Sequence, residues 1–271
     1  MTDPAQLDLF GDRAPIEGHS DGAGVQRLAP DSLSDAALIA ALPDAGLADA
    51  CALAAEAGRR QPSGAVKALA ALCNRFVGFG AERRLPEQAA ALEALAAIGS
   101  PEASRSVVDM IVKGIVEGPT LGVAVTAASQ LGAKFPSAFA LQLLRHSDPV
   151  VRASACACVR AGPEIVAALI DLLVDRDLEV STAAACALGR MGRVEARGPL
   201  KRCLNERPSP RVIEAIAGIA DEEAVVFLAR IGRARPELAA AVLSALDEID
   251  GERAAAAAAP LRRWLPIADR H

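Results

Sequence analysis

The chain has 271 residues and a formal net charge of −5, with 52% hydrophobic and 23% charged residues. Aromatics supply only 3%, with one Trp and no Tyr, so a core of this size must come from Ala, Leu and Val in close contact, which suits helices packed tightly on helices. The balance excludes a strong grip on nucleic acid through overall basicity, and six cysteines scattered at 51, 73, 156, 158, 186 and 203 do not make a disulfide scaffold.

Residues 1–30 carry five acids (Asp3, Asp8, Asp12, Glu17, Asp21) against two bases (Arg13, Arg27) and are interrupted by Pro4, Pro15 and Pro30. Such a composition reads as a disordered acidic tail. Within it stands "QLDLF", residues 6–10. The segment resembles the pentapeptide with which bacterial polymerases and repair proteins dock on the replicative sliding clamp, Q-L-(S/D)-L-F, at all five positions. A chance match is expected about once in a few thousand chains of this length at average residue usage. The resemblance implies that Gln6, Leu7, Leu9 and Phe10 make the contact while Asp8 points outward. The alternatives are another partner, or a fold-back of the three apolar side chains on the protein's own first helix.

Residues 31–58 are helical in pattern, with Asp31 or Ser32 as the expected N-cap, and form a candidate N-terminal cap for a helical stack. From residue 64 a pattern recurs: an anchor, a small residue just before it, a residue four before it that is Ala in all copies but one, and another eight before it. The copies are Gly64–Leu72, Ala90–Ile98, Val123–Leu131, Val151–Val159, Val180–Leu188, Arg211–Ile219 and Leu238–Leu246. These spacings place the side chains on one helical face. A second apolar-periodic stretch fills each gap, clearest in "PEIVAALIDLLVD" at 163–175, so each unit is two helices that bury their faces only by stacking. Punctuation agrees: Ser100-Pro101 and Asp148-Pro149 read as N-cap plus first helical residue, and Gly99, Gly132, Gly162 and Gly192 fall near helix ends. No strand-type alternation occurs. Residues 251–264, ending at Trp264, are expected to close the far end, which makes 31–271 one all-α solenoid of about seven stacked two-helix repeats.

The stretches "DPVVRASACACV" (148–159) and "LEVSTAAACALGRMG" (178–192) resemble D-x-x-VR-x-x-AA-x-AL-x-x-x-G, the signature of the short HEAT-like repeats named after phycobilisome (bilin) lyases. The resemblance is good over 120–250 and weaker over 60–120. It departs at Ser181, where the family prefers Arg, and at Arg211, a charge in a normally apolar slot, so a bend or shift is expected in that part of the stack. Folds of this kind host scaffolds, lyases, hydroxylases and DNA glycosylases, so the resemblance does not decide function; the family name suggests bilin-lyase activity, for which no residues can be named.

Tests for chemistry return little. The histidines are His19, His146 and His271, with none of the His-Glu pairs that di-iron hydroxylases of this fold need. Cys156 and Cys158 point about 200° apart on a helix and are expected to be small buried hydrophobes. His146 is expected to ease helix C-terminal carbonyls. No Ser or Cys has a His partner, and no cofactor or metal is expected. Between Arg190 and Arg235 ten bases face six acids. Arg190, Arg193, Arg197, Lys201 and Arg202 are therefore a candidate patch for nucleic acid or an acidic partner. Ordinary helix-surface charge is the favoured reading, because the segment offers only Phe227 for base stacking. The expectation is a cytoplasmic, non-catalytic helical-repeat adaptor without a membrane partner, tethered through residues 6–10. The alternatives are a DNA-binding, repair-associated repeat protein and a lyase-like enzyme.

Overall fold

A computed structural model describes residues 29–264. The docking segment 6–10, His19 and His271 lie outside the described residues. Fifteen α-helices and no strand occur among the described residues. They are α1 (Asp35–Ala41), α2 (Leu47–Arg60), α3 (Ala65–Asn74), α4 (Pro86–Ile98) and α5 (Pro101–Val112), then α6 (Leu121–Gln130), α7 (Ser137–Leu144), α8 (Pro149–Ala155), α9 (Pro163–Leu172) and α10 (Leu178–Arg190). The last five are α11 (Arg197–Glu206), α12 (Pro210–Ala217), α13 (Glu222–Ala234), α14 (Ala239–Glu248) and α15 (Glu252–Trp264).

The starts are set by local chemistry. Ser100 accepts from the Ala103 N–H, Asp148 from Val150, Asp177 from Glu179 and Val180, and Asp221 from Ala224, each satisfying amides that the first turn leaves open. Proline occupies an early position in α4, α5, α8, α9 and α12, where its missing N–H costs nothing. Gly99, Gly132 and Gly192 stop helices with positive φ, whereas Gly162 starts one, as N-cap of α9. At the N-terminal end Pro30–Ser32 forms a 3-10 turn, and Ser34, rather than Asp31 or Ser32, caps α1 by accepting from the Ala37 N–H.

Consecutive helices pair as seven hairpins, α1–α2 through α13–α14, and α15 packs across α13 and α14. The even-numbered helices form one layer, each against the next from α2 to α14; the odd-numbered helices form the other. Six of the seven copies of the sequence pattern lie along the even layer. The copy at 64–72 does not, because α3 belongs to the odd layer. Its true counterpart is Ala50, Ala54, Ala57 and Gly58 on α2, with glycine where the other copies carry a larger residue. A Cβ on Gly58 would stand 2.9 Å from the Ala94 Cα of α4, so glycine is what lets α2 and α4 touch backbone to backbone.

The same device recurs at Gly189 of α10, where a Cβ would sit 2.3 Å from the Ala215 carbonyl oxygen of α12. Small residues thus draw the even layer together, while in the odd layer α9 and α11 scarcely touch. A stack with one tight layer and one splayed layer curves toward the tight one, so the even helices line the inner face. One apolar core runs the length of the stack, from Leu38 to Leu261. At its early end Gln88 is fully buried and donates from Nε2 to the carbonyls of Cys73 and Ile115, 3.0 and 3.2 Å away, which ties the ends of α3 and α5 to α4.

The irregularity expected at Arg211 takes the form of a one-residue shift in register. Aligned by their caps, Asp148, Asp177 and Ser209 put Val151, Val180 and Val212 in the same slot, and all three are buried. Arg211 then falls level with Val150 and Glu179 on the exposed surface. There its Nη1 lies 2.5 Å from the Glu179 Oε1, a cross-repeat pair in place of an apolar contact.

Candidate functional site

No group of three His, Cys, Asp or Glu side chains among the described residues could hold a metal. α8 ends at Ala155 rather than running on to Val159: the next amides, of Ala157 and Cys158, reach back only three residues, to Ser154 and Ala155, and the Cys158 carbonyl accepts from the Phe135 N–H at 2.9 Å. The helical geometry expected for Cys156 and Cys158 therefore does not apply beyond residue 155, although both side chains are buried as expected. Burial pushes the thiols of Cys73, Cys156 and Cys158 up to about 12 and Cys186 to about 11, too high for a nucleophile at neutral pH. His146 does not cap α7 with its ring: its Nδ1 accepts from the Asp148 N–H at 3.1 Å, shaping the corner into α8.

That corner is the most polar junction of the stack. Arg152 donates from Nε and Nη2 to both oxygens of Asp175, at 2.9 and 3.0 Å, and from Nη1 to the carbonyls of His146 and Ser147. Asp175 accepts in turn from the Asp177 N–H. The two side chains retain only 17% and 10% of their exposure, so the fork holds one inter-helix turn against the next. Ser181 occupies the place of Arg152 one repeat on and forms no such link; its hydroxyl donates to its own helix at Leu178.

On the inner face a cleft of about 470 Å³ crosses four successive helices of the even layer. Its floor is Val150, Ala153, Ser154 and Ala157, from α8 and the turn after it. Thr126, Ser129 and Gln130 of α6 form one wall; Ala183, Cys186 and Arg190 of α10 form the other, with Arg211 of α12 at one end. Val150 is 52% exposed, a large apolar side chain in a solvent-facing trough. Thr126 donates to the Gly122 carbonyl, so Ser154 is the donor in the 2.9 Å contact between the two hydroxyls. Asp177 and Glu179 are already engaged, one as a cap and one with Arg211. What remains open is a small-residue floor, the amide of Gln130 and the guanidinium of Arg190. Such a surface can bind.

The basic run beyond Arg190 is spread over several faces. Arg193 pairs with Glu195 at 2.8 Å. Arg197 donates to the Ile219 carbonyl at 2.7 Å, and Lys201 bridges Asp221 and Glu223 at 2.7 and 2.6 Å. These contacts raise the Lys201 pKa and lower that of Asp221, hydrogen bonding being the main cause in each. Arg230 donates to Asn205 and stacks over Phe227. Arg190 and Arg202 are exposed and form no ion pair among the described residues.

No helix among the described residues is long and apolar enough to cross a membrane. No curated protein matches the chain. Residues 137–220, the span of the three hairpins α7–α8, α9–α10 and α11–α12, match the family described as HEAT repeats, and with the two-layer stack this similarity supports a HEAT-like repeat protein.

Proposed function

We propose that the protein is a non-catalytic adaptor whose inner-face cleft takes a segment of a protein partner, and that Gln6, Leu7, Leu9 and Phe10 tether it to the bacterial sliding clamp. The observation that carries the adaptor reading is the cleft itself: an open trough across α6, α8, α10 and α12 with Val150 exposed on its floor. Repeat stacks of this kind present such extended inner faces to partners. The clamp tether rests on the sequence resemblance of residues 6–10. Two modest contacts joined by about twenty residues reinforce each other through effective concentration, so neither need be tight.

Purified sliding clamp, titrated with the full chain, tests the tether. Micromolar-range binding is expected, lost in Leu9→Ala/Phe10→Ala and retained in Val150→Glu; no binding by the wild type ends the tether reading. For the cleft, a photo-crosslinking residue at position 150 is expected to trap a discrete protein in cells, and Ala153→Glu to abolish the adduct. Adducts that survive Ala153→Glu would remove the cleft as the docking face.

A further inference from the structure

Three cations far apart in sequence meet at one edge of the stack. Lys134 follows the glycine that ends α6, Arg160 follows α8, and Arg190 closes α10, so successive repeats each supply one. The Lys134 Nζ donates to the Ala157 carbonyl at 2.7 Å, which places the ammonium against the turn after α8. Ala157 also lines the cleft that Arg190 enters, and Arg160 stands three residues beyond it. All three are exposed and none forms an ion pair among the described residues. Burial of its stem lowers the Lys134 pKa, and Arg190 and Arg160 press in the same direction, as like charges sharing a small region must. The carboxylates of the adjoining cleft give no relief, since Asp177 caps α10 and Glu179 is held by Arg211.

We propose that Lys134, Arg160 and Arg190 form a binding row for the phosphate backbone of a nucleic-acid duplex. Three cations without ion-pair partners among the described residues, at the ends of successive even-layer helices, complement a polyanion, and the phosphate backbone is the polyanion whose affinity rests on such contacts. Ser129 and Gln130 lie on the cleft wall beside the row and are of the neutral side-chain type that donates to phosphate oxygens. Contacts confined to phosphates carry no sequence information, so the binding is independent of sequence. The row shares only Arg190 with the sequence-adjacent basic run, in which Arg193, Arg197, Lys201 and Arg211 are paired with carboxylates. It needs neither the tail nor the clamp.

The test is fluorescence anisotropy of a labelled duplex of about 20 base pairs with the full chain and no clamp present, so its outcome is separate from that of clamp binding. With three phosphates neutralised, raising salt from about 50 to about 200 mM is expected to weaken binding about 40-fold, and each of Lys134→Gln, Arg160→Gln and Arg190→Gln to lower the logarithmic salt slope by about 1. The triple variant is expected to lose binding, while Arg202→Gln, exposed but off the row, is expected to behave as wild type. Circular dichroism checks folding, and if the triple variant does not fold the three single slopes decide. Absence of binding at about 50 mM salt overturns the proposal, as do single variants with unchanged slopes. Displacement of the duplex by polyglutamate at lower concentration than by unlabelled duplex also overturns it and assigns the row to an acidic protein.

Discussion

Gly189 and Gly218 face each other across the α10–α12 contact and make a controlled pair of perturbations. Alanine at either position gains about 0.4–1 kcal/mol by restricting the unfolded chain, provided the native backbone accepts a Cβ. Gly218 accepts it: its φ is −68° and the nearest atom to a built Cβ is the Gly189 carbonyl oxygen at 3.8 Å. Gly189 does not. Its Cβ would lie 2.3 Å from the Ala215 carbonyl oxygen, 2.8 Å from Leu200 Cδ1 and 3.0 Å from the Ala215 carbonyl carbon. The first is backbone and cannot rotate away, so α12 must move by roughly 1 Å, and overpacking of that kind costs about 1–3 kcal/mol. With the contact on backbone, the upper figure applies, and the net loss is about 2 kcal/mol. For a chain of this size that is a fall of about 4–8 °C in Tm, against no change or a slight rise for Gly218→Ala. Urea unfolding followed by circular dichroism reads both, with midpoints compared directly because repeat stacks can open in stages. Equal midpoints for the two variants would show that the tight approach of α10 and α12 is not what shapes the inner layer.

The remaining expectations concern charge and thiols. The Arg152 fork holds the Asp175 carboxyl below its ordinary 3.8. The pair therefore adds stability above that pH and loses it as pH falls through the lower folded value. Asp175→Asn is expected to cost about 1–3 kcal/mol at neutral pH, with the gap to wild type closing in the acid limb below 3.8; a gap that stays constant there refutes the assignment. In native protein at mildly alkaline pH, Cys51 and Cys203, the two partly exposed thiols, are expected to react with Ellman's reagent well before the other four, which wait for opening of the stack. Fast modification of Cys73 or Cys158 would contradict their burial.

Much of the architecture was legible because the repeat writes its packing rule into residue size. Alanine four before the anchor marks where most neighbouring helices of the even layer approach, and Asp or Ser marks the starts of α1, α5, α8, α10, α12 and α13. The pattern misleads where size is taken to its limit. On α2 the anchor is Gly58, so a large aliphatic residue is absent from the true first copy and the motif reappears on α3, whose Ala68 and Leu72 face the same core from the other layer. At α12 a one-residue offset hides Val212 behind Arg211. At α8 the expected helix runs on through Cys158, because nothing in the local sequence reveals that the chain tightens after Ala155 and turns its Cys158 carbonyl to the Phe135 amide at the start of the same hairpin.

The surface was less legible than the core, for a reason inherent in a stack. Charges along a helix are taken up locally: Arg193 pairs with Glu195, while Arg197 and Lys201, one turn apart on α11, share Asp221. Neighbours in space come from successive repeats, about thirty residues apart. A charge count along the chain therefore exaggerates the patch at 190–235 and overlooks Lys134 and Arg160, which join Arg190 only when α6, α8 and α10 are laid side by side. The same logic made the cleft invisible. Thr126, Val150, Cys186 and Arg211 are unremarkable where they stand in sequence, and become one trough because the tight packing of the even layer brings four helix faces into a row.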